Sequence, residues 1–298
     1  MTSPARSLIE RAAEVFDFEA AMRARAPIAI EPDPKRVAAF SPDPIEFADE
    51  AQGTHWEGRT GTIDSDALRE AGFILPDSPV GALAEEFRIV KRQLLHAATA
   101  GGAAPRDRMI LVASAQPGDG KTFCAVNLAL SLASERDHEV LLVDADFAKP
   151  SILSTLGLDA GPGLIDAIAD PELDAEACII RTDVGNLSVL PAGRAGHDVT
   201  ERIASARTRA VLERLVAHAP HRIIVFDSSP ALAASPASEL AHHVGQVVLV
   251  ARADRTSEAD LRDAVAMLAG CETIRLLLNA VSLPSGGSRF GYYGQGDA

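Results

Sequence analysis

From residue 109 onward, short runs of Ile, Leu and Val recur along the chain, each followed by a stretch with helical spacing. The runs are Met109–Ala113, Val140–Val143, Leu187–Leu190, Arg222–Phe226, Gln246–Ala251 and Ile274–Asn279. Apolar residues at nearly every position, rather than at alternate ones, belong to strands covered on both faces. Between the runs, 121–135, 200–218, 235–243 and 257–269 carry the helical period, and Ala82 to Ala98 forms a helix ahead of them. Strand and helix in alternation predict an α/β fold with a mostly parallel sheet flanked by helices.

The N-terminal part reads differently. Residues 1–26 predict a helix, because Ser7 and Glu10 have capping-box spacing and Leu8, Ile9, Ala12, Val15, Phe16 and Met22 fall near one face. Such a helix either packs on its own domain or binds a partner. Residues 27–78 predict an extended linker with Pro32, Pro34, Pro42 and Pro44 among acidic residues, interrupted by a short helical stretch at Asp66–Ala71. The domain proper is then expected over 79–283, and the Gly-rich segment 284–298 is expected to be a flexible tail. About 200 residues are enough to bury a substantial core.

Charge narrows the partners. The chain of 298 residues has 28 Lys and Arg against 42 Asp and Glu, a net charge of −14. A chain of that sign repels nucleic acid and anionic lipid, so no nucleic-acid partner is expected and any phosphate must be held by local geometry. No apolar run approaches the ~18–20 residues of a membrane span. Met1 to Glu14 lacks the apolar core of a signal peptide. Cys124, Cys178 and Cys271 are far apart and suggest neither a disulfide framework nor a metal site. Together these predict a cytoplasmic protein.

The first strand runs into Ala115-Gln116-Pro117-Gly118-Asp119-Gly120-Lys121-Thr122, and a helix containing Phe123 follows at once. This is the pattern of a phosphate-binding loop, with Ala at the first position where Gly is usual. Its glycines let successive N–H groups turn inward toward phosphate oxygens, and the helix N-terminus adds its positive dipole end. Lys121 is placed to neutralise β- and γ-phosphates and the Thr122 hydroxyl to ligate Mg²⁺. A second strand ends in Asp144-Ala-Asp146 and another in Asp227-Ser-Ser-Pro230. Ligands in open parallel sheets sit beyond the carboxyl ends of strands, so Lys121, Asp144, Asp146 and Asp227 are expected around one triphosphate. Magnesium needs only one or two carboxylates, which leaves one free to accept a proton.

This set of loop, Val-Leu-Leu-Val-Asp-Ala-Asp and Ile-Ile-Val-Phe-Asp-Ser-Ser-Pro resembles the bacterial tyrosine kinases (BY-kinases) of capsule and exopolysaccharide synthesis. Ile63 to Leu95, the Asp-Ala-Asp-Phe-Ala-Lys-Pro150 continuation and the N-terminal Ser-Leu-Ile-Glu-Arg look most like the exosortase-associated tyrosine autokinase branch. The resemblance covers residues 60–298 well and the N-terminal helix more loosely. It implies a P-loop NTPase fold of the SIMIBI, MinD-like kind that uses ATP and Mg²⁺. It also implies autophosphorylation in trans of a C-terminal tyrosine cluster, here Tyr292 and Tyr293, the only tyrosines in the chain. Carried over to these positions, Lys121 and Thr122 hold phosphates and Mg²⁺, Asp146 and Asp227 organise Mg²⁺, and Asp144 is the base toward tyrosine. Glu85, Arg88 and Lys91 resemble the family's E-x-x-R-x-x-R subunit-contact helix, with Lys91 in place of the last Arg. The implied partners are sister copies in a ring-shaped oligomer and a membrane-embedded polysaccharide chain-length regulator that recruits and activates the kinase.

Two departures stand out. Ala148 occupies the place of the usual Arg after the second Asp, with Lys149 beside it, and the third motif ends Ser-Ser-Pro rather than Thr-Pro-Pro. An alternative is a MinD- or ParA-like regulatory ATPase that transfers phosphate only to water. Those proteins carry an additional lysine early in the loop, where this chain has Gln116. A nucleotide-binding scaffold without transfer activity is the third reading.

Overall fold

A computed structural model describes residues 58–281 apart from 79, 80, 195 and 197. The helix expected over 1–26, most of the linker, and the tail with Tyr292 and Tyr293 lie outside the described residues.

The six anticipated strands are present as β2 (Met109–Ser114), β3 (Glu139–Ala145), β5 (Leu187–Leu190), β6 (Arg222–Ser228), β7 (Gln246–Arg252) and β8 (Ile274–Asn279). Two three-residue strands join them, β1 (Arg59–Gly61) and β4 (Ile180–Thr182), too short to carry a periodic signal. The sheet order is β1-β4-β5-β3-β6-β2-β7-β8. Pairing is parallel throughout except between β4 and β5. Every residue of β2 and β6 is buried, as the unbroken apolar runs demand.

Alternate residues of these strands serve two separate cores. Leu111, Leu141, Val143, Ile224, Phe226 and Leu249 point to one face. There they meet α5 (Leu164–Ala169), α7 (Ala206–His218), α8 (Pro236–Ala241) and α9 (Glu258–Met267). Ile110, Val112, Leu142, Ile223, Val225 and Val248 point to the other. That face is covered by α1 (Ser65–Glu70), α2 (Ala82–Thr99) and α3 (Lys121–Ala133). Among the described residues the remaining α-helices are α4 (Ile152–Leu156) and α6 (Val199–Ile203). The single helix expected over 200–218 is two, because Ser205 adopts an extended backbone and caps α7 by accepting from Thr208 N.

Two expectations need correction. Residues 58–78 are not linker: β1 pairs with β4, and Ile63, Leu68 and Leu75 are buried in the second core. Three well-spaced apolar anchors outweigh the disorder that prolines and acids suggested for the segment. Lys91 is not a surface contact residue either. It lies on the buried stripe of α2 with Phe87, Leu94 and Ala98. Its ammonium donates to Ser131 O at 2.9 Å and Ser134 Oγ at 3.2 Å and pairs with Glu135 at 2.6 Å. Three acceptors offset the several kcal/mol that burying an unpaired charge costs. Arg88 and Glu85 remain half-exposed one and two turns earlier, paired with each other.

Candidate active site at the strand ends

β3, β6 and β2 are neighbours, so their C-terminal ends bring the three motifs together. Asp144 and Asp227 face each other in register on β3 and β6. The loop after β2 turns twice through left-handed backbone, at Gly118 (φ 84°) and Gly120 (φ 97°), conformations a side chain at Cβ disfavours. Gly120 also caps α3. Gly120 has no side chain to cap that helix, and no acidic residue sits in its first turn. Its orphan N–H groups therefore face the loop, which suits an anion.

Lys121 and Thr122 open α3 and reach the carboxylates. Lys121 Nζ lies 2.7 Å from Asp146 and 3.7 Å from Asp227 Oδ1, while Thr122 Oγ1 donates to Asp227 Oδ2 at 2.7 Å. Asp227 is fully buried, and its Oδ1 accepts no hydrogen bond. Burial pushes its carboxyl up to about 7, opposed by Lys121 and Thr122 and reinforced by Asp144 and Asp146. A buried carboxylate oxygen with no donor is suited to a cation. Asp144 is nearly as deep, and burial raises its pKa also. Backbone N–H groups oppose that rise: Oδ2 accepts from Ser151 N at 2.9 Å and Ile152 N at 3.0 Å, Oδ1 from Asp146 N at 3.2 Å. Asp144 thereby ties the 146–152 segment to the end of β3.

Other expected positions serve the loop itself. Asp119 is fully buried and accepts from Gln116 N at 3.0 Å, closing the turn from within. Phe123 turns away from the loop, its ring 5.0 Å from that of Phe73. Ala148 and Lys149 are exposed, so neither replaces the missing arginine inside the site. Sequence reasoning missed Arg252, Arg255, Asp260 and Asn279, which reach the loop from the end of β7, the turn after it, α9 and the end of β8. The one available signal was that Arg252, Arg255 and Asn279 lie at or just beyond the carboxyl ends of two predicted strands.

A parallel sheet with this loop, a lysine, a hydroxyl and three acids at its strand ends defines a P-loop nucleotide-binding protein. Residues 107–257 match the AAA domain family, and the chain belongs to it. The relatives it resembles are bacterial tyrosine-protein kinases. It is 27% identical over 233 residues to the tyrosine-protein kinase YwqD of Bacillus subtilis, covering 76% of this chain and 93% of YwqD. To the tyrosine-protein kinase Wzc of Salmonella typhimurium it is 29% identical over 149 residues, 49% of this chain but only 20% of that longer protein. The kinase domain of the Escherichia coli tyrosine kinase ETK has the same fold, with a TM-score of 0.61 at 23% identity over 79% of this chain and 95% of that domain.

Proposed function

We propose that this chain is an ATP-dependent protein-tyrosine autokinase that phosphorylates Tyr292 and Tyr293 of a sister molecule and thereby regulates exopolysaccharide polymerisation or export. One observation carries the reading: Lys121, Thr122, Asp146 and Asp227 converge at the mouth of a glycine loop whose helix N-terminus is free of side-chain caps. Relatives named as tyrosine-protein kinases support phosphoryl transfer to tyrosine over transfer to water.

In this reading the loop N–H groups and Lys121 bind and orient the β- and γ-phosphates. Mg²⁺ would be held by Thr122 Oγ1, Asp227 and Asp146, directly or through water, and would neutralise charge on the transferring phosphoryl group. Among the described residues no group of three or more His, Cys, Asp or Glu is arranged to hold a metal alone, and phosphate oxygens and water would supply its remaining ligands. The tyrosine oxygen bonds to the γ-phosphorus as the bond to the β-phosphate oxygen breaks and ADP leaves. The phenolic proton goes to Asp144, whose Oδ1 accepts only one long backbone bond and keeps a lone pair.

Transfer in trans requires association, for which the half-exposed Glu85 and Arg88 on α2 are the candidate contacts. Among the described residues no helix is long and apolar enough to cross a membrane. Recruitment from the cytoplasm by a membrane-embedded chain-length regulator completes the proposal.

The test is incubation of the full chain with Mg-ATP, with and without a candidate activator peptide, followed by phosphotyrosine detection. Wild type should label, and Lys121→Ala and the Tyr292→Phe/Tyr293→Phe double variant should not. Because no other tyrosine exists in the chain, label on the double variant sinks the assignment. ATP hydrolysis without any phosphotyrosine would favour a regulatory ATPase instead.

A further inference from the structure

A phosphate-binding loop works only if its N–H groups turn inward, which forces its carbonyls outward. Here the outer side of the loop is held residue by residue from one direction. The Gln116 side chain donates to Asp260 Oδ1 at 3.1 Å. Arg255 donates to Pro117 O at 3.4 Å, Arg252 to Gly118 O at 3.1 Å, and Asn279 Nδ2 to Asp119 O at 2.9 Å. Four consecutive loop residues thus each meet a side chain from the β7–β8 side of the sheet. Three consecutive carbonyls among them are held.

We propose that Arg252, Arg255 and Asn279 are positioning residues that form an outer clamp, fixing the outward carbonyls of Pro117, Gly118 and Asp119 so that the phosphate cradle exists before nucleotide arrives. The proposal rests on the nucleotide-binding reading and adds to it what holds the cradle in shape. The clamp is itself braced. Arg252 N donates to Thr256 Oγ1 at 2.8 Å and Ala253 N to Asn279 O at 2.9 Å, joining the ends of β7 and β8. Asn279 Oδ1 accepts from Ala280 N at 2.8 Å, which leaves its Nδ2 as the donor toward the loop. A Cβ at Gly120 would stand 2.1 Å from that Nδ2, so the absent side chain there lets the clamp close as well as letting the backbone turn. Two guanidinium groups on these carbonyls also polarise the peptide units, strengthening their N–H groups as donors on the inner side.

Three variants of the full chain test this: Asn279→Ala, which changes no charge, Arg252→Ala/Arg255→Ala, and Arg252→Lys/Arg255→Lys, which keeps charge. Affinity for Mg-ATP and for pyrophosphate is measured by calorimetry, and amide hydrogen exchange at Gly118–Lys121 is followed without ligand. Asn279→Ala is expected to weaken both ligands roughly tenfold, and the double alanine variant more, with faster exchange at the loop amides. The lysine pair should recover part of the loss. Unchanged loop exchange overturns the clamp. Weaker ATP with unaltered pyrophosphate overturns it too, since these side chains would then touch the nucleoside. Should the double alanine variant fail to fold, Asn279→Ala decides by the same readouts. Wild type that binds neither ligand would remove the nucleotide reading beneath it, a different failure.

Discussion

Replacing Asp227 by asparagine should stabilise the nucleotide-free protein at pH 8 and do so much less at pH 5. Asp227 is fully buried, and one of its oxygens receives no hydrogen bond. Burial is the largest cause of a rise from 3.8 to about 7. A carboxyl whose folded pKa is raised binds its proton more tightly in the native state. Above pH 7 both states are ionised and the native state bears the whole cost of the buried charge. As pH falls from 7 toward 4 the native carboxyl takes up its proton first, and the cost fades. At about 1.4 kcal/mol per tenfold, the penalty is about 4 kcal/mol at pH 8 and about 2 kcal/mol at pH 5. Asparagine keeps the volume and an acceptor for Thr122, while Lys121 keeps Asp146 at 2.7 Å. At roughly 2–4 °C per kcal/mol for a domain of this size, Tm should rise on the order of 10 °C at pH 8 and about half that at pH 5. Scanning calorimetry of both proteins without nucleotide reads this directly. A gain of the same size at both pH values, or a loss at both, refutes the reasoning. The variant should also lose Mg-ATP-dependent phosphotransfer, so stability and activity move in opposite directions.

The inward placement of Lys91 predicts that Lys91→Ala costs about 3 kcal/mol in urea denaturation, whereas Lys91→Met, which fills the same space, costs less. Neither should alter the mass measured by light scattering, since the ammonium faces Ser131 and Glu135 rather than a neighbour. Gly163→Ala should lower the denaturation midpoint by an equivalent of at least about 2 kcal/mol, because the new Cβ would meet rigid backbone rather than a flexible side chain. Pro191 O would lie 2.1 Å from it and Gly193 N 2.4 Å.

Much of the architecture was legible because its signal is local. Val140–Val143 and Arg222–Phe226 are apolar at nearly every position, and only strands buried on both faces need that. The glycine loop between Met109–Ala113 and a helix is equally local, since left-handed turns at Gly118 and Gly120 tolerate few other residues. β1 and β4 escaped notice because three residues give no period, and their pairing is between positions more than a hundred residues apart. Prolines and acids made 27–78 read as one connector. Its last third is nonetheless anchored by Ile63, Leu68 and Leu75, whose value depends on a core built from the rest of the chain.

The chain's own chemistry dictated a parallel α/β sheet, a phosphate loop and three acids following strands, because each is a short run with one favoured conformation. Which carboxylate oxygen is left without a donor, which lysine turns inward, and which side chains hold the loop's carbonyls were decided only by tertiary packing. Sequence motifs marked out Asp227 and Lys91, but nothing local shows how deeply either is buried. Their behaviour comes from desolvation and from partners that distant segments supply. The clamp depends on β7 lying beside β2 with β8 beyond it, a consequence of strand order that no stretch of sequence contains.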